Sequence, residues 1–137
     1  MNAETSERLA QLLRERMTAA LGTLRAGAPF VSMVPYAIAA DGSGFLVHVS
    51  KLAAHTKDML ADTRVSLLVA EAEGGRKSPL ALARVSVQGL VRRIPSGSPD
   101  LSGLKSAYLA RFPEAEQMFG FADFSIFLIR PVSARFV

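Results

Sequence analysis

Val47-His48-Val49-Ser50-Lys51-Leu52-Ala53-Ala54-His55-Thr56-Lys57-Asp58 is the stretch on which the reading of this chain turns. Val47 to Val49 reads as the end of a strand, and Leu52 onward as the opening of a short helix that ends near Asp62. Ser50 and Lys51 sit at the joint. The start of a helix presents N–H groups without partners and a partial positive charge. A hydroxyl, an ammonium and nearby Thr56 and Lys57 make the joint a candidate cradle for a phosphate, and so for a nucleotide-like cofactor. The plainer alternative is that Ser50 caps the helix and Lys51 is solvated.

Upstream, Phe45 to Val49 is a strand that follows the hairpin signal Asp41-Gly42-Ser43-Gly44. Phe30 to Ala39 is a longer strand, nearly all apolar, the pattern of a strand covered on both faces. Pro35 cannot donate to a ladder, so that strand is an edge or is bulged there. Ala20 to Leu24 is a strand joined to it by the turn Arg25-Ala26-Gly27-Ala28-Pro29. Residues 1–18 carry an N-terminal helix capped by Thr5 or Ser6, with Leu9, Leu12, Leu13 and Met17 at helical spacing.

Downstream, Arg64 to Ala70 is a strand and Glu71 to Pro79 a charged loop. From Arg84 to Arg92 the pattern alternates. Val85, Val87, Gly89 and Val91 share one face; Arg84, Ser86, Gln88 and Leu90 share the other. A Gly/Ser/Pro break follows, then a helix from Leu101 to Phe112. Pro113 opens a second short helix that Gly120 ends. Phe124 to Arg130 is the last strand, with Ser133 to Val137 able to extend it. Six strands with hairpin-type turns and two or three inserted helices give a mainly β, α+β class: a small antiparallel barrel or strongly bent sheet with peripheral helices.

The 137 residues form a single domain, 1–137, half hydrophobic and 20% charged. The net charge of +4 comes from 16 basic and 12 acidic residues that are dispersed, with no run of the kind nucleic-acid arms use. Small anionic ligands suit such a surface. The absence of cysteine excludes disulfides, thiolate chemistry and Cys-ligated zinc. The polar N-terminus is no secretion signal, and no apolar run approaches the ~20 residues of a membrane span. The expectation is a soluble cytoplasmic protein with neither nucleic acid nor membrane as partner.

Neither His48 nor His55 has companions at metal-ligand spacing, so no metal site is expected. There is no Gly-x-Ser-x-Gly elbow and no Gly-x-Gly-x-x-Gly after a strand. Two further segments are candidates. Arg84, Ser86 and Gln88 on one strand face can hydrogen-bond a phosphate or the carbonyls of a planar heterocycle, or else form a solvated face. Ser32-Met33-Val34-Pro35-Tyr36 breaks its ladder and can orient a flat ligand with freed backbone groups, or else is an edge kink. No side chain is compelling as an acid or base. His48, His55 and Tyr36 read more simply as structural residues or cofactor contacts, and the catalytic residues stay unknown.

These segments, in order, resemble the FMN-binding split-barrel family around pyridoxamine 5′-phosphate oxidase, and within it the heme-utilisation-type branch. The resemblance rests on Ala20-Leu21-Gly22-Thr23-Leu24, Phe30-Val31-Ser32-Met33-Val34-Pro35-Tyr36-Ala37, Ser50-Lys51-Leu52-Ala53-Ala54-His55-Thr56, Arg64-Val65-Ser66-Leu67-Leu68, Arg84-Val85-Ser86-Val87-Gln88-Gly89 and Gly120-Phe121-Ala122-Asp123-Phe124. It covers nearly the whole chain after the first helix.

The resemblance implies a six-stranded antiparallel split β-barrel that dimerises with itself and holds FMN in a groove at the subunit interface. The phosphate would lie at Ser50 and Lys51 with Thr56 and Lys57, and His55 would be a further contact. Ser32, Met33, Val34, Pro35 and Tyr36 would run along the flavin, and Arg84 and Gln88 would add polar side chains. The implied function is an FMN-dependent oxidoreductase acting on an unknown small-molecule redox substrate. The alternative is a non-catalytic FMN- or heme-binding module for heme utilisation or storage, with heme the less favoured ligand. A third reading is a dimeric scaffold with an empty groove. Two departures from the family are visible. The second strand lacks the oxidase's basic residues, and the chain stops at Ser133-Ala134-Arg135-Phe136-Val137. Both argue against pyridoxamine phosphate as substrate, and the second also argues against heme degradation.

Overall fold

Pro35 and Tyr36 divide the long apolar strand in two, and this break is what lets the sheet close. The computed structural model describes residues 2–137; Met1 lies outside it. Helix α1 (Ala3–Glu15) leads into β1 (Thr18–Arg25), β2 (Ala28–Pro35), β3 (Ala37–Ile38) and β4 (Phe45–Ser50). Helix α2 (Ala54–Ala61), β5 (Arg64–Ala70), β6 (Arg84–Arg93), α3 (Leu101–Arg111) and β7 (Phe124–Phe136) follow. Short 3-10 turns occupy Pro79–Ala81 and Pro113–Gly120. The first helix begins earlier than its expected cap: the Asn2 side chain accepts from the Thr5 amide at 2.8 Å. A side chain three residues before Thr5 thus does the work assigned to Thr5 or Ser6.

The strands form one antiparallel sheet in the order β2-β1-β5-β6-β7-β4-β3. Seven strands stand where six were expected, because the segment 28–38 pairs at both edges. Its first part lies along β1 and its second part along β4. Pro35 has no N–H to continue the ladder, and the Tyr36 amide turns instead to the Met17 carbonyl at 3.1 Å. This corner bends the sheet into a split barrel.

A second irregularity lies between β6 and β7. Gln88 pairs with Ser133 and Gly89 with Pro131, so Val132 is an extra residue on β7. Only glycine fits at position 89, since a Cβ there would stand 2.7 Å from the Arg130 carbonyl oxygen.

Two cores result. The inner face packs Leu21, Val47, Val69, Phe127 and Ile129, with Leu12 of α1 closing one end. The outer face of β4 and β7 packs Leu46, Ile126 and Leu128 beneath Tyr108 and Phe112 at the α3 side. Each fully buried aliphatic or aromatic side chain contributes about 1.5–3 kcal/mol. The outer face of β2, β1, β5 and β6 has no such cover. Val31 is 68% and Met33 66% exposed, which overturns the expectation that this apolar strand is covered on both faces. Its apolar residues are there, but no element of the chain reaches them.

Candidate functional site

The strand-to-helix joint forms as its residues suggest, and its hydroxyls turn inward. Ser50 Oγ donates to Asp123 Oδ2 at 2.9 Å and accepts from the Leu52 amide at 3.1 Å. Thr56 is 2% exposed, and its hydroxyl donates to the Ser50 carbonyl at 2.6 Å. The Lys51 amide donates to the Asp123 carbonyl at 2.7 Å. Ser50 is therefore not the helix cap. That position falls to Ala53, which offers no side-chain acceptor. The start of α2 keeps its partial positive charge uncapped, and the exposed Lys51 and Lys57 stand beside it without an ion pair among the described residues. The Asp123 carboxylate opposes that charge from the other side of the joint.

Helix α2 is held by one buried acid. Asp58, 5% exposed, accepts from Thr23 Oγ1 at 2.8 Å and from Arg25 Nε at 3.1 Å. The Arg25 guanidinium beside it, with Thr23 adding a second hydrogen bond, keeps its carboxyl below the usual carboxylate range. Arg25 also lies over the Phe30 ring, 3.9 Å from the centroid, a cation–π contact. The same docking brings His55 Nδ1 within 3.3 Å of Ser32 Oγ on β2. Burial lowers the His55 pKa, while the Asp58 charge works against that.

The remaining candidates divide by strand face. Ser32 and Val34 point inward, and Met33 outward. Val34 and Tyr36 are 1% and 0% exposed, so their side chains belong to the core. Tyr36 donates to the Leu13 carbonyl at 2.8 Å, and burial raises its pKa. Pro35 ends β2 at the surface. Arg84 donates to the carbonyls of Leu80 and Leu82 at 3.3 Å each. Gln88 Oε1 accepts from Ser133 at 3.0 Å. Arg84 stands where β6 meets the chain end at Val137, whereas the joint lies beside Phe124 at the far end of the sheet. Arg84 and Arg93 are the two ends of the ten-residue β6, about 30 Å apart at the usual rise. One subunit therefore does not bring Arg84 to the α2 joint.

His48 is removed from any open surface. It is 9% exposed and stacked on Phe119 at 3.8 Å and 7°. Tyr108 and Phe124 lie against it as well. Burial, with the Lys105 charge as a lesser cause, pushes its pKa down to about 4.

A groove of about 450 Å³ runs over the uncovered outer face, lined by Val31, Arg64, Ser66, Gln88, Leu90 and Val132 among others. Gly22 forms part of its floor; a Cβ there would run into the Ser66 hydroxyl. Arg64 is pinned at the rim by two bonds to Asp62, at 3.0 and 2.7 Å. Of these residues only Gln88 was a site candidate in the sequence. Period two in Arg64 to Leu68 would have placed Arg64 and Ser66 on the same face as Gln88. Asp58 and Asp123, which organise the joint, were also missed, because spacing does not reveal partners 35 and 73 residues away.

The sequence pattern described as pyridoxamine 5′-phosphate oxidase matches residues 5–137. The chain belongs to this family. The non-canonical heme oxygenase HOZ of the Arabidopsis thaliana chloroplast is 40% identical over 111 residues. That match takes in 81% of this chain and 32% of the plant protein, so the chain spans about a third of that relative's length. HutZ, the heme storage protein from Vibrio cholerae, superposes with a TM-score of 0.86 at 23% identity, covering 96% of this chain and 93% of that one. A heme binding protein from Mycobacterium smegmatis superposes at 0.85 with 26% identity, over 100% of this chain and 55% of that one. The split-barrel fold and the likeness to the heme-utilisation branch hold. FMN is the cofactor associated with the family, and these relatives are named for heme. No helix among the described residues is long and apolar enough to cross a membrane.

Proposed function

We propose that this protein is a heme-binding member of the family, holding heme against the uncovered outer face of β2, β1, β5 and β6 in a groove completed by a second copy of the chain. The observation that carries the reading is that face itself. Val31, Met33, Leu68 and Val132 stand exposed on or beside the groove of about 450 Å³. A folded monomer seldom leaves so large a contiguous apolar patch without a partner. A porphyrin is an apolar plate with two carboxylates, and it calls for an apolar floor with cations at the edges. Lys51 and Lys57 supply cations at one end of the sheet and Arg84 at the other. Because Arg84 and the joint are remote within one chain, a second copy is needed to bring both to one ligand. Of the two histidines, only His55 is open enough to meet a ligand; His48 lies in its aromatic cage. The heme oxygenase relative and the heme-binding structures support this reading. The cytoplasmic setting expected of a cysteine-free chain is part of it.

FMN-dependent oxidoreduction of a small molecule is the second reading. It is favoured by the uncapped start of α2 with Lys51 and Lys57 beside it, a ready anion site. It ranks second because the Ser50 and Thr56 hydroxyls already donate within the chain. Either group, when bound, supplies the redox chemistry; the chain's own residues bind it, orient it and limit water.

The test is a parallel titration of the purified protein with hemin and with FMN, each followed by desalting and an absorption spectrum. Heme retained at a fixed ratio per subunit, with FMN washed away, is the expected result. Retained FMN with heme washed away would overturn it in favour of the flavin. Loss of both would refute both, leaving the empty dimeric scaffold.

A further inference from the structure

A second cavity of about 740 Å³ lies beyond the groove, between the start of α3, the β3–β4 turn and the outer face of β6 and β7. Its floor is set by strand register. Leu90 pairs with Arg130 and Arg92 with Leu128, all four facing outward. The two arginines are thus diagonal neighbours on adjacent strands, about 7–8 Å apart along the sheet and within reach of one shared group. Neither makes an ion pair among the described residues, whose pairs are Arg25–Asp58, Arg64–Asp62 and Lys77–Glu71. Leu90 and Leu128 beside them make the rest of the floor apolar.

The wall is the first turn of α3. No side-chain hydrogen bond caps this helix, and the Asp100 carboxylate at its N-cap offsets the partial charge of the helix start, so the two arginines carry the cationic character of the cavity. Gly103 faces open space: a Cβ there would meet nothing within 4 Å. Asp100, whose carboxylate has no hydrogen-bond partner among the described residues, stands at the rim as a free acceptor.

The geometry points to a second ligand site in this cavity, for an organic phosphate of nucleotide size. The arginine forks take the phosphate, since guanidinium geometry matches phosphate oxygens in pairs. The leucine floor takes the apolar or aromatic body, and Asp100 accepts from a sugar hydroxyl. The volume falls within the range of small-molecule sites, roughly 300–1,000 Å³. Leu90 lines both this cavity and the groove, so a ligand here lies next to whatever the groove holds. That is a suitable place for a soluble co-substrate. The site stands on its own residues and does not depend on which cofactor the groove takes.

The test uses isotope-labelled full-length chain, titrated with AMP, adenosine and inorganic phosphate and followed by amide chemical shifts. AMP is expected to shift Gly103, Ser43 and Arg92 saturably, with adenosine and inorganic phosphate each at least tenfold weaker. The double variant Arg92→Gln with Arg130→Gln is expected to weaken AMP at least tenfold. Gly103→Leu, which improves helix propensity, is expected to abolish AMP binding while leaving the melting temperature no lower and the hemin titration unchanged. The site is refuted if AMP shows no saturation by ~10 mM, weaker than any useful affinity. It is also refuted if either variant binds AMP as the parent does, if inorganic phosphate matches AMP, or if the shifts cluster at Lys51 and Lys57 instead. The hemin titration on the same samples reports separately on the groove.

Discussion

Mild acid should unsettle this protein through His48 before it affects any carboxylate. The imidazole is 9% exposed, stacked on Phe119, with Tyr108, Phe124 and the Lys105 charge around it. Its pKa falls from an ordinary 6.5 to about 4 in the folded state. The unfolded chain therefore takes up this proton first as pH drops. Stability is lost progressively below about pH 6.5, and the loss levels off once pH passes the folded pKa of about 4. Two and a half pKa steps correspond to about 3 kcal/mol in total, and the linkage relation puts about 2 kcal/mol of that between pH 7 and pH 5.

The carboxylates act in the same direction at lower pH. Asp62 titrates at about 2 when folded, and the pKa values of Asp41, Asp58 and Glu71 are lowered as well. The stability they supply is present above their unfolded values and lost only as pH falls beneath about 5. The window from pH 7 to pH 5 thus belongs to the histidines. His55, also lowered, adds to the loss there, so His55→Gln serves as the control.

The assay is urea unfolding at half-unit pH steps. The parent midpoint should fall by about 1 M over the window, given ordinary denaturant slopes. His48→Phe keeps the aromatic stack and removes the proton site, so most of that slope should vanish. A His48→Phe variant that loses stability between pH 7 and pH 5 as steeply as the parent would refute the reasoning.

Other consequences are as direct. Gly44→Ala would drive a Cβ into the backbone carbonyl of Ile129, costing about 1–3 kcal/mol; a parent-like melting temperature would count against the β4–β7 packing described. Asp58→Asn removes the charge that ties α2 to Thr23 and Arg25, so hydrogen exchange across Ala54–Ala61 should accelerate while the β6–β7 ladder stays protected. Uniform acceleration would mean the acid supports the whole barrel instead. If a second copy covers the outer face as proposed, Val31→Lys with Met33→Lys, which places two charges there, should turn a dimeric parent into a monomer by sedimentation; a monomeric parent, or a dimer unchanged by both, would put that proposal aside. If FMN is the ligand, Lys51→Ala should weaken it about tenfold or more, the scale of a charge-assisted hydrogen bond, without altering the far-UV spectrum.

Most of the fold could be read from residue spacing. Alternation from Arg84 to Arg92 put each side chain on its observed face. The apolar stripe of α1 packs through Leu9, Leu12 and Leu13 as its spacing requires, and Met17 drops out because the helix ends at Glu15. Pro35 announced the break in its strand, although the count of six strands missed that both halves would pair.

The site was less legible. Ser50, Lys51, Thr56 and Lys57 cluster in sequence and in space, so their grouping was visible. Where the hydroxyls point was not, since that depends on Asp123 and on the path of the chain after Ser50. The broken ladder at Pro35 was legible, but the burial of the Val34 and Tyr36 side chains was not, since which face meets the core is settled only by tertiary packing.

By itself, the sequence determined the periods, the breaks and the local charges: strands from alternation, corners from Pro35 and the glycines, and a cationic helix start from Lys51 and Lys57. These follow from covalent geometry and nearest neighbours along the chain. Only the tertiary structure decided which groups meet across it. Asp58 reaches Arg25, Ser32 meets His55, His48 disappears beneath Phe119, and Arg84 is carried to the far end of the sheet from α2. Register and sheet order join residues tens of positions apart, and no local pattern encodes that distance. The same order leaves the face of Val31 and Met33 open and lays Arg92 beside Arg130, which is where the ligands of this protein are to be sought.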